Sequence, residues 1–135
     1  MRFEGSTVAA GRPTAIVVDD DEDLLNALKF SLELDDVQVV GHRSAETVNA
    51  SALPADNACL VLDYRLPATN GLDLLTRLRE EGVTLPAILV TSHASAIVRS
   101  LARAAGATLV EKPLLGDTLL TAIRQVLRGA GENQK

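Results

Sequence analysis

The sequence predicts a doubly wound α/β fold: a five-stranded parallel sheet of order 2-1-3-4-5 with helices on both faces. Short β-branched or leucine-rich runs alternate five times with longer segments at helical spacing, which is the order of a parallel α/β sheet. Two of these runs, ACLVL and AILV, are apolar without alternation, as expected of central strands covered on both faces. The 135 residues amount to one ordinary domain, and the alternation leaves nothing over for a second.

The first strand is TAIVV, ending at Val18. A helix from Glu22 to Leu34 follows, with Leu24, Ala27, Leu28, Ser31 and Leu32 as its inward stripe and Asn26 and Lys29 on the opposite face. Val37 to Val40 is the second strand, punctuated by Gly41, with a short helix near Ala45 to Ala50. ACLVL is the third strand, and Gly71 to Glu81 forms a helix that turns Leu72, Leu75 and Leu78 inward and stops at Gly82. PAILV is the fourth strand, and the next helix aligns Val98, Leu101, Ala102 and Ala105 before Gly106. TLVE is the fifth. A last helix from Asp117 to Arg128 buries Leu119, Leu120, Ile123, Val126 and Leu127, and the polar tail GAGENQK frays. The chain thus divides into a flexible extension over 1–13, a domain over 14–128 and a tail over 129–135.

Apolar residues make up 47 % and charged residues 23 %, a globular balance rather than a disordered or membrane one. Net charge is −5 and the lysines and arginines are scattered, so direct nucleic-acid binding is not expected. The apolar runs are too short to span a bilayer and the amino terminus lacks a signal-peptide core, so no membrane association is expected. The lone Cys59 excludes an internal disulfide, and together these features point to the cytoplasm. Cys59 and His42 read as structural residues, because neither has partners at metal-ligand or nucleophile spacing.

Polar residues gather at four strand ends: Asp19 and Asp20 after the first strand, Asp63 after the third, Thr91 after the fourth and Lys112 after the fifth. Ligands of open α/β sheets bind beyond the carboxyl ends of the strands, where the order reverses. That point lies between the strands bearing Asp20 and Asp63. Neighbouring strands are about 4.8 Å apart, so these side chains converge on a volume the size of a phosphoryl group. Three carboxylates there repel and call for a cation. Oxygen ligands without histidine or cysteine favour a hard ion, Mg²⁺, with Mn²⁺ as a substitute. In-line phosphoryl transfer needs a nucleophile, positive charge and a hydroxyl donor. Asp63 can supply the first, Lys112 and the metal the second, and Thr91 the third. The product, an aspartyl phosphate, is a labile mixed anhydride suited to a transient signal. Singly, each residue has an ordinary reading as a helix cap or a turn residue; the four strand ends together define a site.

The strings VVDDDEDLL, LDYRLPATNGLDLL, ILVTSH and VEKP, in this order and spacing, resemble the response regulator receiver domains of two-component signalling, from about Thr14 to Arg128. The resemblance implies a flavodoxin-like (βα)5 fold. It also implies a protein that is no enzyme beyond its own phosphorylation and dephosphorylation, accepting a phosphoryl group from a phosphohistidine of a sensor histidine kinase or histidine phosphotransfer protein. It makes Asp63 the acceptor, Asp20 a direct Mg²⁺ ligand, Asp19 its partner through water, and Arg65 the residue whose backbone carbonyl ligates the metal. Thr91 and Lys112 become the switch hydroxyl and the phosphate-binding lysine, and the bond before Pro113 is expected to be cis. Arg65 and His93 stand where receivers modulate loss of the phosphoryl group. Leu25, Asn26 and Lys29 stand where receivers meet their kinase. Arg99, Arg103, Glu111 and Arg124 would form the output face toward an unknown protein, and the family leaves room for a dimer.

The sequence departs from the family at the switch. Leu109 stands where receivers carry an aromatic residue, Leu114 replaces a frequent Phe, and the stretch from Gly106 to Lys112 is one residue short. One alternative is therefore a degenerate receiver that binds partners without phosphorylation. Another is a phosphatase of the haloacid dehalogenase type, but its second aspartate, two positions after the nucleophile, is here Arg65. The chain reads as a stand-alone regulator or the receiver part of a longer one, with Met1 and the polar tail favouring the former.

Overall fold

The computed structural model describes residues 11–114 and 116–133. β1 (Thr14–Val18), β2 (Gln38–His42), β3 (Ala58–Asp63), β6 (Ala87–Thr91) and β7 (Thr108–Glu111) form a parallel sheet of order β2-β1-β3-β6-β7, the predicted order 2-1-3-4-5. A two-residue antiparallel hairpin, β4 (Arg65–Leu66) with β5 (Thr69–Asn70), follows β3. The helices are α1 (Glu22–Leu34), α2 (Gly71–Glu80), α3 (Ala96–Ala104) and α4 (Thr118–Asn133).

Local chemistry starts and stops the helices. Asp21 caps α1 by accepting from the Leu24 amide at 3.2 Å, with Glu22 and Asp23 complementing the dipole in the first turn. Asn70 caps α2 through the Asp73 amide at 2.9 Å, and Ser95 caps α3 through that of Val98 at 3.2 Å. Gly82, at φ +94°, lets the chain leave α2 in a conformation most residues avoid.

Strand alternation divides the core between the two faces of the sheet. Ala15 and Val17 of β1 and Cys59 and Val61 of β3 pack under α1 and α4, around Leu28, Leu32 and Ile123. Ile16 and Val18, with Leu60 and Leu62, pack on the other face around Leu75, Leu78 and Val98.

Several helix faces are rotated from the predicted stripes. In α1 the buried residues are Leu25, Leu28 and Leu32, while Ala27 and Ser31 are exposed. A stripe drawn through small residues loses to one drawn through leucines, because burying a leucine gains far more than burying alanine or serine. In α2 Leu74 is buried and Leu72 only half-buried, and in α3 Leu101 and Ala105 are exposed beside buried Val98 and Ala102.

The short helix expected at Ala45 to Ala50 is two single 3₁₀ turns, Ala45–Thr47 and Ala50–Ala52. Asn49 interrupts them, its side chain capping the Ser51 amide at 3.1 Å. Arg77 of α2 secures this segment, donating to the carbonyls of Ala45 and Val48 at 3.0 and 3.1 Å. At the other end α4 continues through Asn133 rather than fraying after Arg128, since glycine weakens a helix without the steric break of proline. Residues 1–10 of the expected extension and the last two of the tail lie outside the described residues.

Candidate functional site

The carboxyl ends of β1, β3, β6 and β7 deliver the predicted residues to one place. Asp19 and Asp63 are buried, Asp63 only 8 % exposed, and Asp20 faces solvent. One carboxylate oxygen from each of the three lies within 4.8 Å of the others. The Lys112 ammonium bridges two of them, 3.0 Å from Asp19 Oδ2 and 3.3 Å from Asp63 Oδ2. Main-chain bonds fix the frame: the Asp19 amide donates to His42 O at 2.9 Å, that of Tyr64 to Val90 O at 2.7 Å, and that of Lys112 to Thr91 O at 2.7 Å. The Lys112–Pro113 bond is cis, as expected.

Burial raises the Asp63 pKa above the usual carboxylate range, and the neighbouring Asp19 charge raises it further. The Lys112 ammonium and a hydrogen bond from the Arg65 amide pull the other way without cancelling the shift. For Lys112 burial opposes the charge, but the hydrogen bond to Asp19 and the charges of Asp63 and Asp19 outweigh it and raise its pKa. One lysine against three carboxylates leaves the pocket short of positive charge. An oxygen-only donor set with that deficit fits a divalent metal ion.

The remaining predicted residues divide by position. Thr91 is buried at the pocket, but its hydroxyl is engaged by the following loop, donating to His93 O and accepting from the His93 amide, both at 3.2 Å. Arg65 and His93 are exposed at the rim. Leu109 is half-buried and packs into the core on the α2 and α3 face. Of the three residues expected to meet a kinase, Leu25 is a core residue packed beside Gly41, a correction that follows from the rotation of α1. Asn26 and Lys29 are exposed. Arg99, Arg103, Glu111 and Arg124 are exposed on α3, β7 and α4, with Arg99 at 4.0 Å from Glu111. His42 bonds Thr47 Oγ1 at 2.7 Å, and burial lowers its pKa; Cys59 is buried, its thiol pushed up to about 12.

Sequence reasoning missed Gly71 as a site residue. A Cβ there would lie 2.6 Å from the Asp63 carbonyl oxygen and 2.9 Å from Leu89 Cδ1, so only glycine lets α2 begin directly beneath the acidic pocket. Its amide donates to Tyr64 O at 2.9 Å, tying the helix start to the residue after Asp63. The available signal was a glycine at the first helical position, directly after the capping Asn70.

This arrangement is that of a receiver domain, and the family model described as the response regulator receiver domain matches residues 15–124. The chain belongs to that family, whose members are not conventional enzymes, and the phosphatase alternative falls with it. It is 32 % identical over 117 residues to the transcriptional regulatory protein FixJ of Azorhizobium caulinodans, covering 86 % of this chain and 56 % of that protein. It is 34 % identical over 113 residues to FixJ of Rhizobium meliloti, covering 83 % of this chain and 55 % of that protein. The chain therefore spans about half the length of these relatives. A crystal structure of FixJ-N superposes with a TM-score of 0.76 at 32 % identity, covering 86 % of this chain and 94 % of that one. A CheY-like receiver from Methanospirillum hungatei, at 24 % identity, shares the fold with a TM-score of 0.81 over 91 % of this chain and 99 % of that one. Among the described residues no helix is long and apolar enough to cross a membrane.

Proposed function

We propose that Asp63 accepts a phosphoryl group from a phosphohistidine and that the resulting aspartyl phosphate switches the contacts of this domain with other proteins. The observation that carries the reading is the buried Asp63 carboxylate, 3.3 Å from the Lys112 ammonium and grouped with Asp19 and Asp20. An Asp63 oxygen attacks phosphorus in line, the new P–O bond forms as the P–N bond to the donor histidine breaks, and the histidine leaves. Lys112 neutralises charge on the transferred oxygens, and the Thr91 hydroxyl can exchange its bond to His93 O for one to the phosphoryl group. Mg²⁺, or Mn²⁺ in its place, held by Asp19, Asp20, Asp63 and the Arg65 carbonyl, would supply the remaining positive charge. Arg65 and His93, at the rim, are placed to steer or block the water that removes the group.

A receiver implies a sensor kinase as partner, either directly or through a histidine phosphotransfer protein. Exposed Asn26 and Lys29 on α1 remain candidates for that contact, and the arginines of α3 and α4 for the output contact. Transcriptional control, which the names of the relatives print, would involve more than the half of those proteins matched here.

Incubation with acetyl phosphate and Mg²⁺, read by intact mass, tests the proposal. Wild type should gain one phosphoryl group and Asp63→Asn none. An unchanged wild-type mass would instead support the degenerate receiver that acts without phosphorylation, a reading that Leu109 keeps open.

A further inference from the structure

Strand alternation divides the site between the two faces of the sheet. Asp19 continues the series of Ala15 and Val17, and Asp63 that of Cys59 and Val61, on the face covered by α1 and α4. Thr91 continues the series of Ala87 and Leu89 on the opposite face, under α2 and α3. Its hydroxyl, now bonded to His93, reaches a phosphoryl group on Asp63 only by turning across the end of β6. That turn empties the space Thr91 leaves behind. An unfilled void forfeits the contacts of its lining, so the turned state needs a side chain that moves in.

The neighbours on the β7 side are poorly suited to do so. The register partner of Thr91 there is Glu111, exposed and 4.0 Å from Arg99. Leu109 lies one pair lower, level with Leu89, and is packed into the core. Drawing it up to Thr91 would open a cavity beneath it.

The neighbour on the β3 side is Tyr64. Asp63 pairs with Val90, and the Tyr64 amide donates to Val90 O at 2.7 Å, so Tyr64 stands level with Thr91. It follows Leu60 and Leu62 in the alternation and packs against the same apolar cluster, which puts it on the face that Thr91 occupies. Adjacent strands are about 4.8 Å apart, close enough for the two side chains to meet. Tyr64 is half-buried, and its hydroxyl has no hydrogen-bond partner among the described residues, so no bond holds the ring where it is. A ring with an apolar body and a polar tip tolerates both partial and deeper burial. The other aromatic residue that the structure describes, Phe30, projects into solvent from α1. Tyr64 is thus the aromatic ring the fold places beside Thr91.

On the reading of Asp63 as phosphoacceptor, we propose that Tyr64 is the moving aromatic element of this domain, working from β3 where Leu109 on β7 cannot. When Thr91 turns from His93 to the phosphoryl group, the Tyr64 ring follows into the vacated space and withdraws from solvent, reshaping the surface beside residues 92–94.

The chain has one tyrosine and no tryptophan, so its intrinsic fluorescence reports Tyr64 directly. Iodide quenching of that emission should be largely lost when acetyl phosphate and Mg²⁺ are added to wild type. It should persist with Mg²⁺ alone, and in Asp63→Asn given both reagents. Hydrogen exchange over residues 92–94 should rise on phosphorylation as His93 loses Thr91; the rise should survive in Tyr64→Phe, which keeps the ring, and shrink in Tyr64→Ala, which leaves the space unfilled. Intact mass on the same samples separates the two levels of the argument. A wild type that gains the phosphoryl group with quenching unchanged overturns the role of Tyr64 and leaves Asp63 as acceptor. So does a phosphorylated Tyr64→Ala whose exchange rises as in wild type. A wild type that gains no mass removes the phosphoacceptor reading, and the role of Tyr64 with it.

Discussion

At the two ends of β3, burial raises the pKa of two ionisable side chains, and only one of them is met by opposite charge. Cys59 lies in the apolar layer under α1 and α4, with burial as the cause of its high pKa, and the thiol stays protonated. Asp63, four residues on, is also pushed up by burial and by Asp19, but Lys112 and the Arg65 amide answer its charge. Burial alone silences an ionisable group. Burial with incomplete compensation leaves a carboxylate ionisable, held in place and receptive to further positive charge, which is the condition a metal-assisted nucleophile needs.

Asp63→Asn breaks the contrast at its centre and should abolish phosphoryl uptake measured by intact mass. It should also raise the melting temperature of the metal-free protein by a few degrees, since roughly 1 kcal/mol moves a domain of this size by about 4 °C. The pH dependence has a definite sign. A carboxyl whose folded pKa is raised contributes stability that is fully present below the unfolded value and is lost as pH rises through the folded one. Denaturation midpoints from pH 3 to 7 should therefore fall with rising pH more steeply in wild type than in Asp63→Asn. Equal slopes would show that Asp63 is not the strained group.

Lys112→Ala removes the ammonium between Asp19 and Asp63 and leaves the two carboxylates facing each other. A broken buried pair costs about 3–5 kcal/mol, reduced here to about 2 kcal/mol because the Lys112 side chain keeps 24 % of its exposure. Urea titration with and without Mg²⁺ checks this: the loss should shrink when Mg²⁺ is added, and a loss indifferent to Mg²⁺ would place Lys112 outside the charge balance. Gly71→Ala should cost about 2 kcal/mol by overpacking and slow phosphorylation at least about tenfold, because the added methyl presses on the Asp63 carbonyl. Rates that stay at wild-type level would mean that α2 moves away without disturbing Asp63. At the quiet end of β3 the smallest effect is expected. With a thiol pKa of about 12, roughly one Cys59 in ten thousand is thiolate at pH 8, so iodoacetamide should label the native protein only at the rate of unfolding. Fast labelling would show that this end is not sealed.

The site was legible in the sequence because each of its residues sits at the end of an apolar run, and strand ends can be read locally. Asp19, Asp20, Asp63, Thr91 and Lys112 all arrive where that reading puts them. Gly71 was not legible, since its importance is a 2.6 Å approach to a carbonyl on another element. Neither was the engagement of Thr91 by His93, which depends on the path of the loop.

The sequence by itself determined the alternation of strands and helices and the gathering of Asp19, Asp20, Asp63, Thr91 and Lys112 at strand ends, because alternation, period and strand-end position are properties of consecutive residues. Only the tertiary structure decided that Leu25 rather than Ala27 turns inward, that residues 45–52 form two 3₁₀ turns, and that Glu33 caps the open edge of β2. Each of these is settled by what lies opposite in space: an apolar layer around Val39 that receives Leu25, an arginine at 77 that ties down a segment, and an outward amide at 39 that needs a partner.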